Sequence, residues 1–275
     1  RIRGDSPAAM ASTAERAGAI AAVYGLAVLP SLALLAWILF GLGDGYAGFA
    51  FSFECDDSGC NSGPIWQTMN WHPLLMTFAF GTLFTQAICA FKLLPFGHDR
   101  NKLVHMAIQA TALVCSTAGI AVIITFKFKS GNYNFYTAHS WVGLLAFLLF
   151  IVQFLVGFVS FLFPKLPQNA RLVIHPFHIF AGFCIYVLTM TAIFTGVADR
   201  ELICGWAGCG MSSSVYSYNW MGANLVPLLL ALAAAAAFWA HRPPTNRAHY
   251  AKEHGQPPIN AEEETFGYGA ADYSH

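Results

Sequence analysis

Six stretches of this chain run the thickness of a bilayer without one charged side chain: Ile20 to Leu42, His72 to Phe91, Leu103 to Phe126, Ala138 to Phe163, Leu172 to Ala198, and Trp220 to Ala240. About 20 apolar residues in helical form span the roughly 30 Å hydrocarbon core. Lipid offers no hydrogen bond to a bare peptide group, so each spanning run must be a helix. A soluble helical protein of 275 residues with 56 % hydrophobic and 10 % charged residues would leave six such runs with nowhere to hide. The reading is therefore an all-α membrane protein with six transmembrane helices in one multi-pass domain, residues 20–240. A short N-terminal segment, 1–19, precedes it. A tail, 241–275, rich in Pro, Gly, Glu and Tyr, follows and is expected to be mobile or held by a partner.

Basic residues orient the spans. Six crossings put both termini on one face, together with the loops after the second and fourth spans. That face holds Arg1, Arg3, Arg16, Lys92, Arg100, Lys102, Lys165, Arg171, Arg242, Arg247 and Lys252; the other holds only Lys127, Lys129 and Arg200. Such a bias places the termini on the cytoplasmic side or its organellar equivalent. Four of the seven cysteines, Cys55, Cys60, Cys204 and Cys209, fall in loops of the opposite face. Two disulfides are expected there, in any of three pairings, in preference to a metal site. Cys89, Cys115 and Cys184 lie in spans and are read as packing residues.

Five histidines mark the spans. His72 opens the second span from the non-cytoplasmic side, His105 the third from the cytoplasmic side, His139 the fourth, and His175 and His178 the fifth. His72 and His139 thus share one face, while His105 shares the other with His178 or His175. A single histidine at an interface is ordinarily a capping residue. Four, at alternating ends of consecutive helices, ask for a common purpose, because ionisable groups in a span are costly and turn toward the bundle interior. Two neutral imidazoles facing across a bundle fill both axial positions of a haem iron. Gly81, Gly119, Gly143 and Gly182 are candidates for letting a flat ring approach backbone. Ligands one turn inside each face put two irons roughly 20 Å apart along the membrane normal. With no open coordination position, electron transfer is favoured over oxygen binding.

The stretches NWHP (Asn70 to Pro73), KLVH (Lys102 to His105), NFYTAHSW (Asn134 to Trp141) and HPFHIFAG (His175 to Gly182) resemble the cytochrome b561 family, six-helix proteins that move electrons from ascorbate across membranes. The resemblance covers about Trp71 to Asp199. It implies a central four-helix bundle with two b-type haems, one held by His72 and His139, the other by His105 and His178. His178 is chosen over His175 because the family ligand follows a Pro-aromatic pair. It further implies ascorbate at the cytoplasmic face beside Lys102 and Arg171, where positive charge attracts an anionic reductant. The plainer alternative for these two cations is snorkelling to lipid headgroups. His98 and Arg100 stand where a family lysine is usual. Lys127 and Lys129 replace the histidine that family members often carry between the third and fourth spans. Lys127, Asn134 and Tyr136 are then the residues to receive an outer acceptor, monodehydroascorbate or a ferric chelate.

The expected function is a transmembrane, ascorbate-dependent oxidoreductase. The alternative is a non-catalytic or protein-partnered haem subunit of a larger membrane complex, to which the cysteine loops and the tail would suit. Membrane lipid, ascorbate, the acceptor, and a homodimer or larger complex are the expected partners; no nucleic acid is expected.

Overall fold

The computed structural model of the chain describes residues 7–43, 45–55, 59–207 and 218–241, without the side chains of 7–16, 204–207 and 218–221. Helix dominates, and no strand occurs among these residues. Six helices are long and apolar enough to cross a membrane: Ala17–Gly41, Pro64–Leu93, His98–Lys129, Ala138–Phe161, Gln168–Ile203 and Gly222–Ala240. They are called the first to sixth spans.

Hydropathy located each span and misjudged several ends. The first helix begins at Pro7, well before Ile20. Pro suits a first helical position, and the Ala-rich segment behind it favours helix without needing to be apolar. The second span begins at Pro64 rather than His72, entered through Gly63 at φ 84°. Its early residues pack under the preceding loop, with Ile65, Trp66 and Met69 buried. A turn at Asn70 interrupts it. Pro73, three residues on, has no N–H to return to the Met69 carbonyl, so the helix loses a bond there. A π-helical stretch, Thr77–Phe84, follows before the helix resumes at Thr85–Leu93.

The second span is the hub, packing against the first, third, fifth and sixth. Its pairing with the third is the most extensive in the bundle; the fourth packs along the fifth, and the first along the sixth. Phe80, Phe84, Phe150 and Tyr186 meet at the centre, with Phe80–Phe150 and Phe84–Phe150 ring centroids 5.2 and 5.3 Å apart. Polar groups inside the bundle find one another. Thr82 Oγ1 donates to the Ala27 carbonyl at 2.7 Å and pairs with the Ser31 hydroxyl at 2.8 Å, joining the first two spans. Thr85 and the Tyr186 hydroxyl pair at 2.9 Å, joining the second to the fifth. Outside, large apolar side chains such as Val114, Leu155 and Val187 are exposed, as a lipid-facing surface requires.

Cys55 and Cys60 form a disulfide, with Cα atoms 4.6 Å apart. Cys209 and the Cys204 side chain lie outside the described residues, as does the tail beyond residue 241.

Asn70, 1 % exposed, ties the loop after the first span to the bundle. Its Nδ2 donates to the carbonyls of Tyr46 at 2.7 Å and Gly48 at 2.8 Å. Its Oδ1 accepts from Arg200 of the fifth span at 3.0 Å. Asn70→Ala removes three hydrogen bonds, two of them buried, and is expected to lower stability by about 2–4 kcal/mol in detergent thermal unfolding. Thr111→Val, which removes only a lipid-facing hydroxyl bonded to its own helix, should stay within about 0.5 kcal/mol.

Candidate functional site

Local sequence explains where each histidine stands. Thr137 accepts from the Ser140 N–H and caps the fourth span, so His139 lies in its first turn. The NWHP stretch anchors itself through Asn70 and through Trp71 Nε1, which donates to the Ala50 carbonyl at 3.0 Å. His72 follows at once, already more than a turn inside the helix. His105 is two turns into the third span, and His178 nearly three turns into the fifth.

At one end of the bundle the His72 and His139 rings face each other, centroids 6.2 Å apart and planes at 80°. Two metal–imidazole bonds of about 2 Å, plus about 1 Å from each nitrogen to its ring centre, span about 6 Å. One metal ion fits between these rings. At the other end His178 lies within electrostatic reach of His105, and His175 within reach of His98. His105 and His178, the pair the resemblance implies, therefore stand at the same end of the bundle.

The rings are oriented by their second nitrogens. His72 Nδ1 meets the Gly119 carbonyl at 2.9 Å, His105 Nδ1 the Ala87 carbonyl at 2.8 Å, and His139 Nδ1 the Ala192 carbonyl at 2.8 Å. A carbonyl only accepts, so each Nδ1 carries the proton and each Nε2 keeps its lone pair. That is the tautomer and support a metal-bound histidine needs. His178 differs: its Nδ1 is buried without a partner among the described residues.

These contacts give a separation. Gly119 marks the level of His72 on the third span, 14 residues beyond His105. At 1.5 Å per residue the two levels lie about 21 Å apart. On the fifth span, Ala192 stands 14 residues beyond His178 and repeats the figure.

Glycine matters at other places than expected. A Cβ at Gly196 would lie 2.7 Å from His139 Cε1, and one at Gly157 2.9 Å from His178 Cε1. His139 and Gly157, like His178 and Gly196, are 18 residues apart, five turns on one helix face. The antiparallel fourth and fifth spans therefore lay histidine over glycine at both ends. That spacing was readable beforehand. Of the four glycines expected near a flat ring, Gly81 faces Leu230, Gly119 faces Met76, and Gly182 faces Gln153. Gly143 has only Ala192 Cβ in ordinary contact, though it does line the cavity described next. Gly119 serves through its carbonyl.

A cavity opens beside His72 and His139, lined mainly by apolar side chains including Met76, Phe80, Ile123 and Leu144. Lys127, Asn134 and Tyr136, widely separated from His72 in sequence, all line it. Lys127 Nζ sits 4.5 Å over the Tyr136 ring. Phe135 between them has φ 55°, rare for a bulky residue, and lines the same cavity. Arg200 lines the same cavity and had no assigned role. At the other end, Lys102 pairs with Asp99 at 3.0 Å, and Arg171 Nε is buried without a partner.

No group of three or more His, Cys, Asp or Glu side chains able to hold a metal occurs among the described residues. Two opposed imidazoles with no third protein donor suit an ion whose equatorial positions come from a planar ring. The His72–His139 pair, its tautomers and the apolar walls beside it fit haem.

The family model for eukaryotic cytochrome b561 matches residues 71–203. The chain is similar to the probable ascorbate-specific transmembrane electron transporter 2 of Oryza sativa subsp. japonica, 29 % identical over 237 residues, 86 % of this chain and 92 % of that one. To the transmembrane ascorbate ferrireductase 2 of Arabidopsis thaliana it is 34 % identical over 131 residues, 48 % of this chain and 57 % of that one. To the transmembrane ascorbate-dependent reductase CYB561 of Homo sapiens it is 30 % identical over 181 residues, 64 % of this chain and 70 % of that one. A bundle with histidines at these positions, matched across its core, belongs to the cytochrome b561 family.

Proposed function

We propose that this chain is a transmembrane oxidoreductase that takes electrons from ascorbate on the cytoplasmic side and delivers them to an acceptor on the other, through two haems b. The observation that carries the reading is the facing of His72 and His139 at metal-bridging distance, each with Nδ1 held by a neighbouring helix. Names of the relatives, ascorbate ferrireductase and ascorbate-dependent reductase, support the donor and the class of reaction. Haem iron between two imidazoles supplies one-electron exchange between ferric and ferrous states.

The residues of the chain do the rest. His72 and His139 form one ligand pair, His105 and His178 the other. Carbonyls of Gly119, Ala87 and Ala192 keep three of these imidazoles in the ligating tautomer. Gly157 and Gly196 leave room for two of the rings. Lys102 and Arg171 attract anionic ascorbate at the cytoplasmic end. Lys127, Asn134 and Tyr136, at the cavity on the other side, receive monodehydroascorbate or a ferric chelate.

Titration of purified protein with ascorbate, followed in the visible spectrum, is the primary test. Two haems per chain, both reduced, are expected. Two haems indifferent to ascorbate would instead indicate a subunit fed by a protein partner. His105→Ala and His178→Ala should each remove one haem, the same one; His72→Ala and His139→Ala should remove the other. Loss of different haems within a pair would break the assignment. Gly196→Leu should reproduce the loss seen in His139→Ala, and Gly157→Leu that in His178→Ala. Gly25→Ala, with open space around its Cα, should retain both haems.

Charge at the donor site has its own signature. Lys102→Ala and Arg171→Ala should each raise the ascorbate concentration for half-maximal reduction roughly tenfold, the effect shrinking with added salt. Asp99→Asn, which frees Lys102, should lower it. Unchanged values in all three variants would leave these cations as headgroup contacts.

A further inference from the structure

Arg200 is 8 % exposed, lines the cavity of His72 and His139, and has no carboxylate within ion-pair distance among the described residues. Its guanidinium offers five N–H donors. Nη2 bonds Asn70 Oδ1 at 3.0 Å, Nη1 contacts Met69 Sδ at 3.6 Å, and the group sits 5.3 Å over the Trp66 ring. All three neighbours are neutral. Asp199, also on the cavity, does not pair with it. A buried cation without a counter-ion is costly, and such groups are ordinarily paired. Membrane topology sharpens the point. The face opposite the termini has three basic residues, and two of them, Lys127 and Arg200, line this one cavity. Lys127 also lies within electrostatic reach of His72.

We infer that Arg200 is an anion seat in the wall of the outer cavity, oriented by Asn70 and assisted by Lys127, that takes a carboxylate as its missing counter-ion. Arg matches a carboxylate with two parallel bonds, which a lysine cannot do. The carboxylate has two sources of the same chemistry: a propionate arm of the tetrapyrrole between His72 and His139, or a carboxylate-bearing acceptor such as ferric citrate. The inference rests on the haem reading above and adds to it a residue to which that reading gave no part.

The test compares wild type with R200Q and R200K in purified, haem-loaded protein. The readouts are haem-to-protein ratio, midpoint potential of each haem, and half-saturation for ferric citrate. If the arm belongs to the tetrapyrrole, R200Q loses the haem that His139→Ala loses, or lowers that potential alone. Reconstitution with haem dimethyl ester, which has no free carboxylate, then erases the difference between R200Q and wild type. If it belongs to the acceptor, haem content and potentials stay as in wild type, while half-saturation for ferric citrate rises at least about tenfold. R200K, keeping charge but losing the fork, gives either change in smaller degree. It carries the test if R200Q does not fold. Arg200 variants that match wild type in all three readouts overturn the anion seat. A wild type that binds no haem overturns the underlying reading instead.

Discussion

A neutral imidazole buried in a membrane has one N–H to place, and here the neighbouring helix takes it. His72, His105 and His139 each spend their Nδ1–H on a backbone carbonyl of a helix packed against their own. Several consequences follow from that one bond. It turns the ring, fixes the tautomer, presents Nε2 to the bundle interior, and makes the position of one helix depend on another. In lipid, where water cannot substitute, an N–H without such a partner would be costly. The site and the packing of the bundle are therefore one problem. Moving the third span relative to the second would break the bonds of His72 and His105 together.

The arrangement has an internal regularity. The second and third spans exchange histidine–carbonyl bonds in both directions. The fourth and fifth exchange histidine-over-glycine contacts in both directions. Each antiparallel pair thus contributes one histidine to each end of the bundle. Between the two levels, about 21 Å apart by helical rise, the interior is filled with Phe80, Phe84, Phe150 and Tyr186 rather than polar groups. That filling keeps water out of the middle and leaves the two ends as separate chemical environments. They differ: one has Lys102 paired with the exposed Asp99, the other a buried Arg200 that contacts Asn70, Met69 and Trp66 and makes no ion pair among the described residues.

Much of this was legible beforehand, for identifiable reasons. Charge-free runs locate helices because lipid tolerates nothing else, and all six appear. The ends shifted where the boundary was set by something other than hydropathy, as at Pro7 and Pro64. The histidine pairs by face follow from counting crossings. Lys127, Asn134 and Tyr136 were named from the family resemblance, and they line one cavity. Glycine was harder. Gly81, Gly119 and Gly182 lie in the same helices as the histidines, but their Cα atoms face other side chains. Only the 18-residue spacing of Gly157 and Gly196 from the histidines distinguishes them, and it signifies nothing until two helices are known to be antiparallel partners.

The sequence by itself determined the membrane crossing, the number of helices, and which histidines share an end, since all three depend on local composition and on parity along the chain. Tertiary structure decided which carbonyls the His72, His105 and His139 imidazoles meet, which glycines lie under His139 and His178, and that Arg200 turns inward to Asn70. Those outcomes depend on the rotation and axial offset of one helix against another. Such quantities are set by the sum of many side-chain contacts across the bundle, and no single stretch of residues encodes them.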